Sequence, residues 1–165
     1  MWNSVDLIKI LQGGGIAVIP TDTIYGIVGR ADLPDTVARI YKIKNRAPEK
    51  KCIILIGDWK ETKNFGIDSS EFKIPETNEP TSFILENIAF RLPQQKEFQD
   101  FLLQTGPLIA PSANPESLPP AQNISEAKNY FGDAVDFYED GGTLANKASK
   151  IIKLNEDNST NILRD

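Results

Sequence analysis

The chain has 165 residues, the usual length of a single domain, and 18 basic against 23 acidic residues give it a formal net charge of −5. It contains no histidine and a single cysteine, Cys52. This composition excludes Ser-His-Asp triads, Cys-His dyads, zinc sites built from cysteine and histidine, and any disulfide within the chain. Because the overall charge is negative, tight RNA binding would need a local basic patch.

Targeting and membrane signals are missing from the sequence. Residues 1–6 have neither the basic region nor the apolar core of a signal peptide, and no later run reaches the roughly 18 apolar residues of a membrane span. The sequence has no internal repeat, linker or low-complexity segment. We therefore expect one cytoplasmic domain spanning residues 1–165, without a membrane contact.

The first third of the chain alternates predicted helices and strands. Apolar residues at helical spacing follow the candidate caps Asn3 and Ser4. A short apolar run ended by Pro20 is typical of a buried strand. A second helical pattern opens near Pro34, and basic residues gather at its C-terminal end, as the helix dipole favours. These patterns predict a helix over residues 3–12, a strand over 16–19, a helix from 32 through 41 and a strand over 52–56.

The remainder of the chain begins with a polar stretch, residues 58–80, which predicts at most short helical pieces. Two extended runs separated only by Glu86 and Asn87 then predict a β-hairpin. A proline-rich loop runs from residue 111 to 120. The other patterns predict a helix around residues 98–102 ended by Gly106, a strand over 107–110, a helix over 124–131, and strands near 134–138 and 151–154.

Strands and helices alternate everywhere except at the hairpin. This order predicts an α/β fold built on one twisted sheet of mixed parallel and antiparallel strands, flanked by helices and open at one face. Ligands bind beyond the strand ends of open α/β sheets, so the polar residues that follow strands are the candidate site residues.

The first candidate group follows the strand that ends at Pro20. Two threonine hydroxyls, a carboxylate and a phenol occur at Thr21, Asp22, Thr23 and Tyr25, and together they could receive an amine and a carboxylate. The alternative is a turn in which threonine and aspartate side chains bond their own backbone. Local chemistry alone favours the turn.

The second candidate group is basic and lies beyond the second helix. Lys44 and Arg46, with Lys50 and Lys51 nearby, could face one polyphosphate, because a guanidinium and an ammonium both bind phosphate oxygens. The alternative is that basic residues simply complement the dipole at a helix C-terminus. The residues by themselves slightly favour this second interpretation.

A third group combines Ser112 and Asn114 with the isolated cation Arg91. Ser112 and Asn114 follow a predicted strand and could bind phosphate oxygens or a ribose, or could cap their own loop. Arg91 interrupts an apolar run and needs an anionic partner, either a substrate carboxylate or, more commonly, a protein carboxylate. The chain thus carries groups that bind and orient substrates rather than an evident nucleophile.

Taken in this order, the motifs resemble the YrdC/TsaC-type family of L-threonylcarbamoyladenylate synthases. The match covers nearly the whole chain, and its strength lies in several weak motifs at compatible spacing. Residues 13–26 resemble the family's opening strand and loop, Lys44-Asn45-Arg46 its Lys-x-Arg motif, residues 88–93 its Val-Ala-Val-Arg strand, Ser112-Ala113-Asn114 its Ser-Ala-Asn motif, and Ser149 with residues 162–164 its closing segments.

The resemblance implies a twisted mixed sheet around a large concave ligand cavity. It also implies an activity: threonine and bicarbonate form N-carboxythreonine, whose carboxylate attacks the α-phosphate of magnesium-bound ATP and expels pyrophosphate. Threonylcarbamoyl-AMP would then pass to a tRNA threonylcarbamoyl transferase complex for the t6A37 modification of tRNA. A weak contact of this chain with tRNA is part of the same expectation.

The resemblance also assigns roles to residues. Lys44 and Arg46 would be catalytic, through charge neutralisation, and no residue is assigned to a metal. Mg²⁺ is expected to enter with ATP, although Asp22 is one candidate ligand. Threonine would contact Thr21, Thr23, Tyr25, Arg91 and Ser149, and ATP would contact Lys44, Arg46, Lys50, Asn87, Ser112, Asn114 and Arg164. Replacing Lys44 or Arg46 with alanine is expected to abolish ATP use with little loss of stability.

Several positions depart from the family pattern, and two segments matter most for activity. Residues 78–81 read Asn-Glu-Pro-Thr where the family has Pro-Gly-Pro-Thr, and Glu116 lies in a loop that usually carries Ser-Gly, near the predicted polyphosphate site. These departures leave alternatives open: a YrdC-like RNA-binding module, an inactive paralogue, or a relative that adenylates a carbamoyl group for another acceptor.

Overall fold

A nine-stranded mixed sheet forms the centre of the computed structural model, which describes residues 1–165. The helices are α1 (Val5–Gln12), α2 (Pro34–Lys44), α3 (Lys96–Thr105) and α4 (Ile124–Phe131). The strands are β1 (Ala17–Pro20), β2 (Tyr25–Arg30), β3 (Ile54–Leu55), β4 (Thr81–Leu85), β5 (Ile88–Arg91), β6 (Leu108–Ile109), β7 (Phe137–Tyr138), β8 (Lys150–Leu154) and β9 (Thr160–Arg164). None of the helices is long and apolar enough to cross a bilayer.

The strand order across the sheet is β7-β1-β2-β6-β3-β5-β4-β8-β9. Three neighbouring pairs are parallel, β1 with β7, β3 with β5 and β4 with β8, and the other pairs are antiparallel. The predicted hairpin is confirmed, with Phe83 opposite Phe90 and the chain reversing at Glu86, whose φ is 56°. The sheet is therefore mixed, as the element order predicts.

Helices cover both faces of this sheet, so the expectation that one face is open is wrong. Alternate residues of a strand point to opposite faces, and in β1 Val18 packs in one apolar cluster while Ala17 and Ile19 pack in another. Helices α2 and α4 contribute to the first cluster, and α1 and α3 to the second. On the second side the ring of Trp2 stacks on that of Phe98, with centroids 4.3 Å apart. Burial on both faces holds the strand ends, and hence the site, in place.

Two strands were not predicted from the sequence. Strand β2 contains two glycines, which are depleted in strands, and its Gly29 is required because a Cβ there would lie 2.5 Å from Thr36 Cγ2 on α2. Strand β9 is an edge strand that is exposed along its whole length, so it lacks the apolar alternation of a buried strand.

Several predicted elements are confirmed with shorter bounds. The strand expected over residues 52–56 is reduced to Ile54–Leu55, and that expected over 134–138 to Phe137–Tyr138. The polar stretch 58–80 contains only two short 3₁₀ helices, Trp59–Phe65 and Ser69–Glu71, as expected.

Candidate functional site

A cavity of about 400 Å³ opens between the β1–β2 loop, the end of β5, the loop after β6 and the segment before β8. Four basic side chains line it, those of Arg46, Lys51, Arg91 and Arg164. No carboxylate is part of the lining, although Asp22 and Glu116 pair with Arg91 and Arg46 from beside it. In a chain of net charge −5 this concentration of positive charge is local. Clefts lined by charge of one sign attract ligands of the opposite sign, so the cavity is suited to a polyanion.

Residues from all the predicted groups meet at this cavity. Eight of the twelve predicted site residues line it: Thr21, Thr23, Tyr25, Arg46, Arg91, Ser112, Ser149 and Arg164. The other four, Lys44, Lys50, Asn87 and Asn114, lie behind or beside the lining. The predicted ligand contacts of these side chains remain predictions.

The β1–β2 loop is self-bonded through threonine, as local chemistry favours, whereas Asp22 pairs with Arg91 rather than with its own backbone. Thr21 Oγ1 donates to the carbonyl of Ile24 at 2.6 Å and accepts from the backbone N–H of Thr23 at 3.1 Å. Thr21 and Thr23 nevertheless both line the cavity. The turn thus holds the two threonines at the cavity wall.

Tyr25 ties a second segment to the site. Its hydroxyl donates to the carbonyl of Gly142 at 2.7 Å and accepts from the N–H of Gly141 at 2.8 Å. Asn146 Nδ2, from the same irregular segment, donates to the carbonyl of Thr23 at 3.1 Å. Burial raises the pKa of the Tyr25 phenol, so it stays protonated and keeps its role as a donor. The phenol therefore fixes the segment that leads to Ser149 and β8.

Arg91 is paired with a protein carboxylate, the commoner of the two partners considered from the sequence. Its Nε and Nη2 both donate to Asp22 Oδ1, at 3.1 and 3.0 Å, and each side chain is only 4% exposed. Nη2 also lies 3.4 Å from Thr23 Oγ1. The pairing holds the guanidinium rigidly at the cavity wall and engages the carboxylate of Asp22.

A chain of buried hydroxyl groups links Arg91 to Arg164. Arg91 Nη1 donates to Ser82 Oγ at 3.4 Å, and Ser82 Oγ lies 2.8 Å from Ser149 Oγ. Arg164 donates from Nη2 to Ser149 Oγ at 3.2 Å and from Nε to the Ser149 carbonyl at 2.7 Å. Partial burial, together with the positive charge of Arg91, lowers the pKa of Arg164. An anionic ligand between these guanidiniums would relieve their repulsion.

Arg46 is oriented by the backbone that follows it. Its Nε and Nη2 donate to the carbonyls of Lys50 and Lys51, at 3.1 and 2.7 Å. Its Nη1 lies 3.3 Å from Glu116 Oε1, and Lys50 Nζ lies 3.3 Å from Glu116 Oε2. Asn87 contributes through its main chain, because its carbonyl accepts from Lys51 Nζ at 3.1 Å. Asn87 and Lys50 thus act here as neighbours of the lining cations.

Lys44 lies beneath the Ser112–Asn114 loop and is fully buried. Its Nζ donates to the carbonyls of Ser112 and Asn114, at 2.6 and 2.5 Å, so in this structure it anchors the loop. Asn114 donates from Nδ2 to the carbonyls of Pro115 and Leu118, while its buried Oδ1 has no hydrogen-bond partner. A buried amide oxygen without a partner is unusual and marks a place for a donor.

The burial of Lys44 corrects one expectation drawn from the sequence, namely that its replacement leaves stability almost unchanged. We expect Lys44→Met to lower the free energy of unfolding by roughly 2–4 kcal/mol at neutral pH, because the buried carbonyls of Ser112 and Asn114 lose their donor. Chemical denaturation checks this value. A loss below about 0.5 kcal/mol would show that the loop does not depend on the ammonium group.

The same residue predicts a pH dependence. Burial, together with the charge of Arg46, lowers the pKa of Lys44 to about 8, against about 10.4 for an unfolded lysine. Between these two pKa values Lys44 is protonated in the unfolded chain but mostly neutral in the folded one. The free energy of unfolding of the wild type therefore rises with pH, with a slope no steeper than about 1.4 kcal/mol per pH unit. Lys44→Met lacks this contribution, so the stability difference between the two proteins should widen from pH 8 to 10.4. A constant difference in denaturation midpoints across this range would contradict the prediction.

Sequence reasoning left Ser82 without a role. It did not include Lys51 or Asp22 among the assigned contact residues, and it considered Asp22 only for a substrate or Mg²⁺ contact. Lys51 lines the cavity, Asp22 neutralises Arg91, and Ser82 links Arg91 to Ser149. A signal existed for Asp22, since it is the carboxylate within the polar loop after β1 and Arg91 needs an anionic partner. Ser82 carries no such signal in the sequence. Cys52 lines the cavity, half-buried, with Sγ 3.4 Å from the Tyr41 hydroxyl.

The fold and site define an α/β protein with a basic cavity at the strand ends of a mixed sheet. The chain belongs to the Sua5/YciO/YrdC family, whose model, described as "Telomere recombination", matches residues 9–165. The family membership predicted from the motifs is thereby confirmed.

Individual relatives agree with this assignment. The threonylcarbamoyl-AMP synthase of Coxiella burnetii is 28% identical over 150 residues, which cover 79% of this chain and 81% of that protein. Relatives of this name are nucleotidyl-transferring enzymes, the class that the sequence predicts.

Solved structures share the fold. E. coli YciO superposes with a TM-score of 0.76 at 21% identity, over 97% of this chain and 87% of that chain. P. abyssi Sua5, solved in complex with L-threonine, superposes with a TM-score of 0.74 at 20% identity, over 90% of this chain. The match spans only 50% of Sua5. At these identities the likeness establishes the fold alone, which is the predicted mixed α/β architecture.

Proposed function

We propose that this chain is an L-threonylcarbamoyladenylate synthase, which forms threonylcarbamoyl-AMP and pyrophosphate from L-threonine, bicarbonate and ATP. The observation that carries the proposal is the cavity lined by Arg46, Lys51, Arg91 and Arg164 without a carboxylate. ATP and N-carboxythreonine are both anions, and their reaction needs their charges neutralised at close range. The names of the curated relatives support the same reaction.

The nucleotide is assigned to the side of the cavity formed by Arg46, Lys51 and Ser112. Guanidinium and ammonium groups bind phosphate oxygens, and Arg46 presents a fixed planar group because backbone carbonyls hold two of its nitrogens. The unpartnered Oδ1 of Asn114 could accept from a ribose hydroxyl group after a small shift of the loop. Mg²⁺ would arrive on the phosphates of ATP as part of the substrate, since no carboxylate lines the cavity.

Threonine is assigned to the side formed by Thr21, Thr23, Arg91 and Ser149. The hydroxyl groups of this side can hydrogen-bond an amino acid, and Arg91 and Arg164 bring two guanidiniums for carboxylates. The Sua5 structure with L-threonine is a precedent for this ligand on this fold.

In the proposed reaction the protein supplies orientation and charge rather than a covalent intermediate. The carboxylate of N-carboxythreonine attacks the α-phosphorus, a new P–O bond forms, the bond to the β-phosphate breaks, and pyrophosphate leaves. Fixed cations that stabilise developing negative charge, together with alignment of the reactants, contribute several kcal/mol to such reactions. Transfer of the product to a tRNA threonylcarbamoyl transferase complex in the cytoplasm for t6A37 formation, with at most a weak tRNA contact by this chain, completes the proposal.

The test is an assay of the purified protein with ATP, magnesium, bicarbonate and threonine, with serine replacing threonine as the control. Pyrophosphate release and the mass of the nucleotide product are both measured. We expect threonine-dependent release and the mass of threonylcarbamoyl-AMP. ATP binding without turnover would refute the synthase, and release that requires carbamoyl phosphate in place of threonine and bicarbonate would reassign the chain to the carbamoyl-adenylating relatives.

A further inference from the structure

The carboxylate of Glu116 pairs with two cations of the predicted phosphate subsite, Arg46 and Lys50. Glu116 Oε1 lies 3.3 Å from Arg46 Nη1, and Glu116 Oε2 lies 3.3 Å from Lys50 Nζ. The two carboxylate oxygens thus bridge a guanidinium and an ammonium, as two oxygens of a phosphate would. The hydrogen bond from Lys50, with the charges of Arg46 and Lys44, holds the pKa of Glu116 below its usual range, so the group is an anion at neutral pH.

The geometry around this carboxylate favours displacement over permanent attachment. Both contacts are longer than the 2.7–2.9 Å typical of charge-assisted N–H···O bonds. The Lys50 side chain is 59% exposed and that of Glu116 is 27% exposed. The main chain of Glu116, by contrast, is anchored, because its N–H donates to the carbonyl of Lys44 at 2.8 Å. The side chain can therefore rotate away while the loop stays in place.

Arg46, unlike Glu116, is fixed. Its Nε and Nη2 are held by two backbone carbonyls, so only Nη1 depends on Glu116. Removing the carboxylate would leave the guanidinium where it is and expose an unpaired edge. An incoming phosphate oxygen would find that edge already oriented.

We propose that Glu116 is an internal counter-anion that occupies the Arg46–Lys50 subsite in the absence of ligand and is displaced when a polyphosphate binds. The inference rests on the proposed nucleotide-binding role of the cavity. It gives Glu116 two effects: the carboxylate weakens polyphosphate binding, because its ion pairs must first break, and it favours release of pyrophosphate, because it returns to the same cations. The residue thereby sets the affinity of the subsite.

The test is a calorimetric titration of the full chain with inorganic tripolyphosphate at low ionic strength. Glu116→Gln should bind tripolyphosphate about five- to tenfold more tightly than the wild type, a gain in the range expected from removing two partly exposed ion pairs. Glu116→Ala should show the same direction of change, and it removes the carboxylate without adding an amide donor that could itself touch the phosphate. The matched control is Glu49→Gln, which removes the same charge from an exposed neighbour of Lys50 that makes no ion pair, and should change affinity less than twofold.

Two results would overturn the inference. Unchanged or weaker binding in both Glu116 variants would mean that the carboxylate orients Arg46 rather than competing with the ligand. An equal gain in Glu49→Gln would mean that net charge alone controls affinity. The titration contains no threonine, bicarbonate or nucleoside, so its result is independent of the synthase assay. An active synthase whose Glu116 variants bind tripolyphosphate like the wild type would lose only this inference.

Discussion

Replacing Arg91 with methionine should lower the free energy of unfolding by roughly 3–5 kcal/mol, because it leaves the carboxylate of Asp22 buried without its partner. Both side chains are 4% exposed, so water cannot replace the lost guanidinium. For a domain of this size the loss corresponds to a fall in melting temperature of roughly 6–20 °C. Chemical denaturation followed by circular dichroism measures the free energy directly.

The controls for this prediction use the pair itself and a surface pair. Asp22→Asn should destabilise the protein by a similar amount, while the double variant should recover part of the loss, because neither charge is then left alone. Lys96→Met breaks the exposed pair with Asp100 on α3 and should cost less than about 0.5 kcal/mol. If Arg91→Met lowered the free energy of unfolding by less than 1 kcal/mol, water would have to reach the Asp22 carboxylate despite its burial.

Replacing Arg46 with alanine should reduce ATP-dependent pyrophosphate release by at least about 100-fold, as expected when a fixed cation is removed from a developing charge. The free energy of unfolding should fall by only about 1 kcal/mol, because the side chain lies near the surface. The carbonyls of Lys50 and Lys51 can then accept hydrogen bonds from water instead. Steady-state turnover and a denaturation curve on the same preparation separate the two effects.

Two further variants sharpen this second prediction. Arg46→Lys keeps the charge but loses the planar group that the carbonyls of Lys50 and Lys51 hold, so an intermediate rate is expected. Arg39→Ala removes an arginine paired with Asp136, outside the cavity lining, and should turn over normally. Turnover of Arg46→Ala within threefold of the wild type would place the phosphate site elsewhere.

Lys44 and Arg46 illustrate why two neighbouring cations of one motif have different positions. Lys44 ends α2 on its buried face, which also carries Thr36 and Ile40 at spacings of four residues. Asn45 then takes the left-handed conformation, with φ 54°, and turns the chain so that Arg46 lies outside the helix at the cavity. The four-residue spacing is visible in the sequence and could have indicated the burial of Lys44. The direction of Arg46 depends on the turn and on the carbonyls of Lys50 and Lys51.

The sequence by itself determined the class of fold, the family and eight of the 18 residues that line the cavity. Hydrophobic periodicity is a local property that records which face of an element is buried, so it predicts the four helices and the hairpin β4–β5. The order of the motifs, each at the end of an element, was enough to bring eight of the predicted residues to one cavity.

Only the tertiary structure decided the partners of the polar groups. Asp22 and Arg91 are 69 residues apart, and they meet because β3 and β6 bring β5 and β2 into one sheet. Glu116 and Arg46 are 70 residues apart, and they meet because Lys44, at the end of α2, hydrogen-bonds the segment from Ser112 to Glu116. Strand β2 was not predicted because it carries glycine where it packs closely on α2, and β9 was not predicted because it is an exposed edge strand without an apolar pattern. Such pairings depend on strand order and register, which arise from burial summed over the whole sheet rather than from any local run of residues.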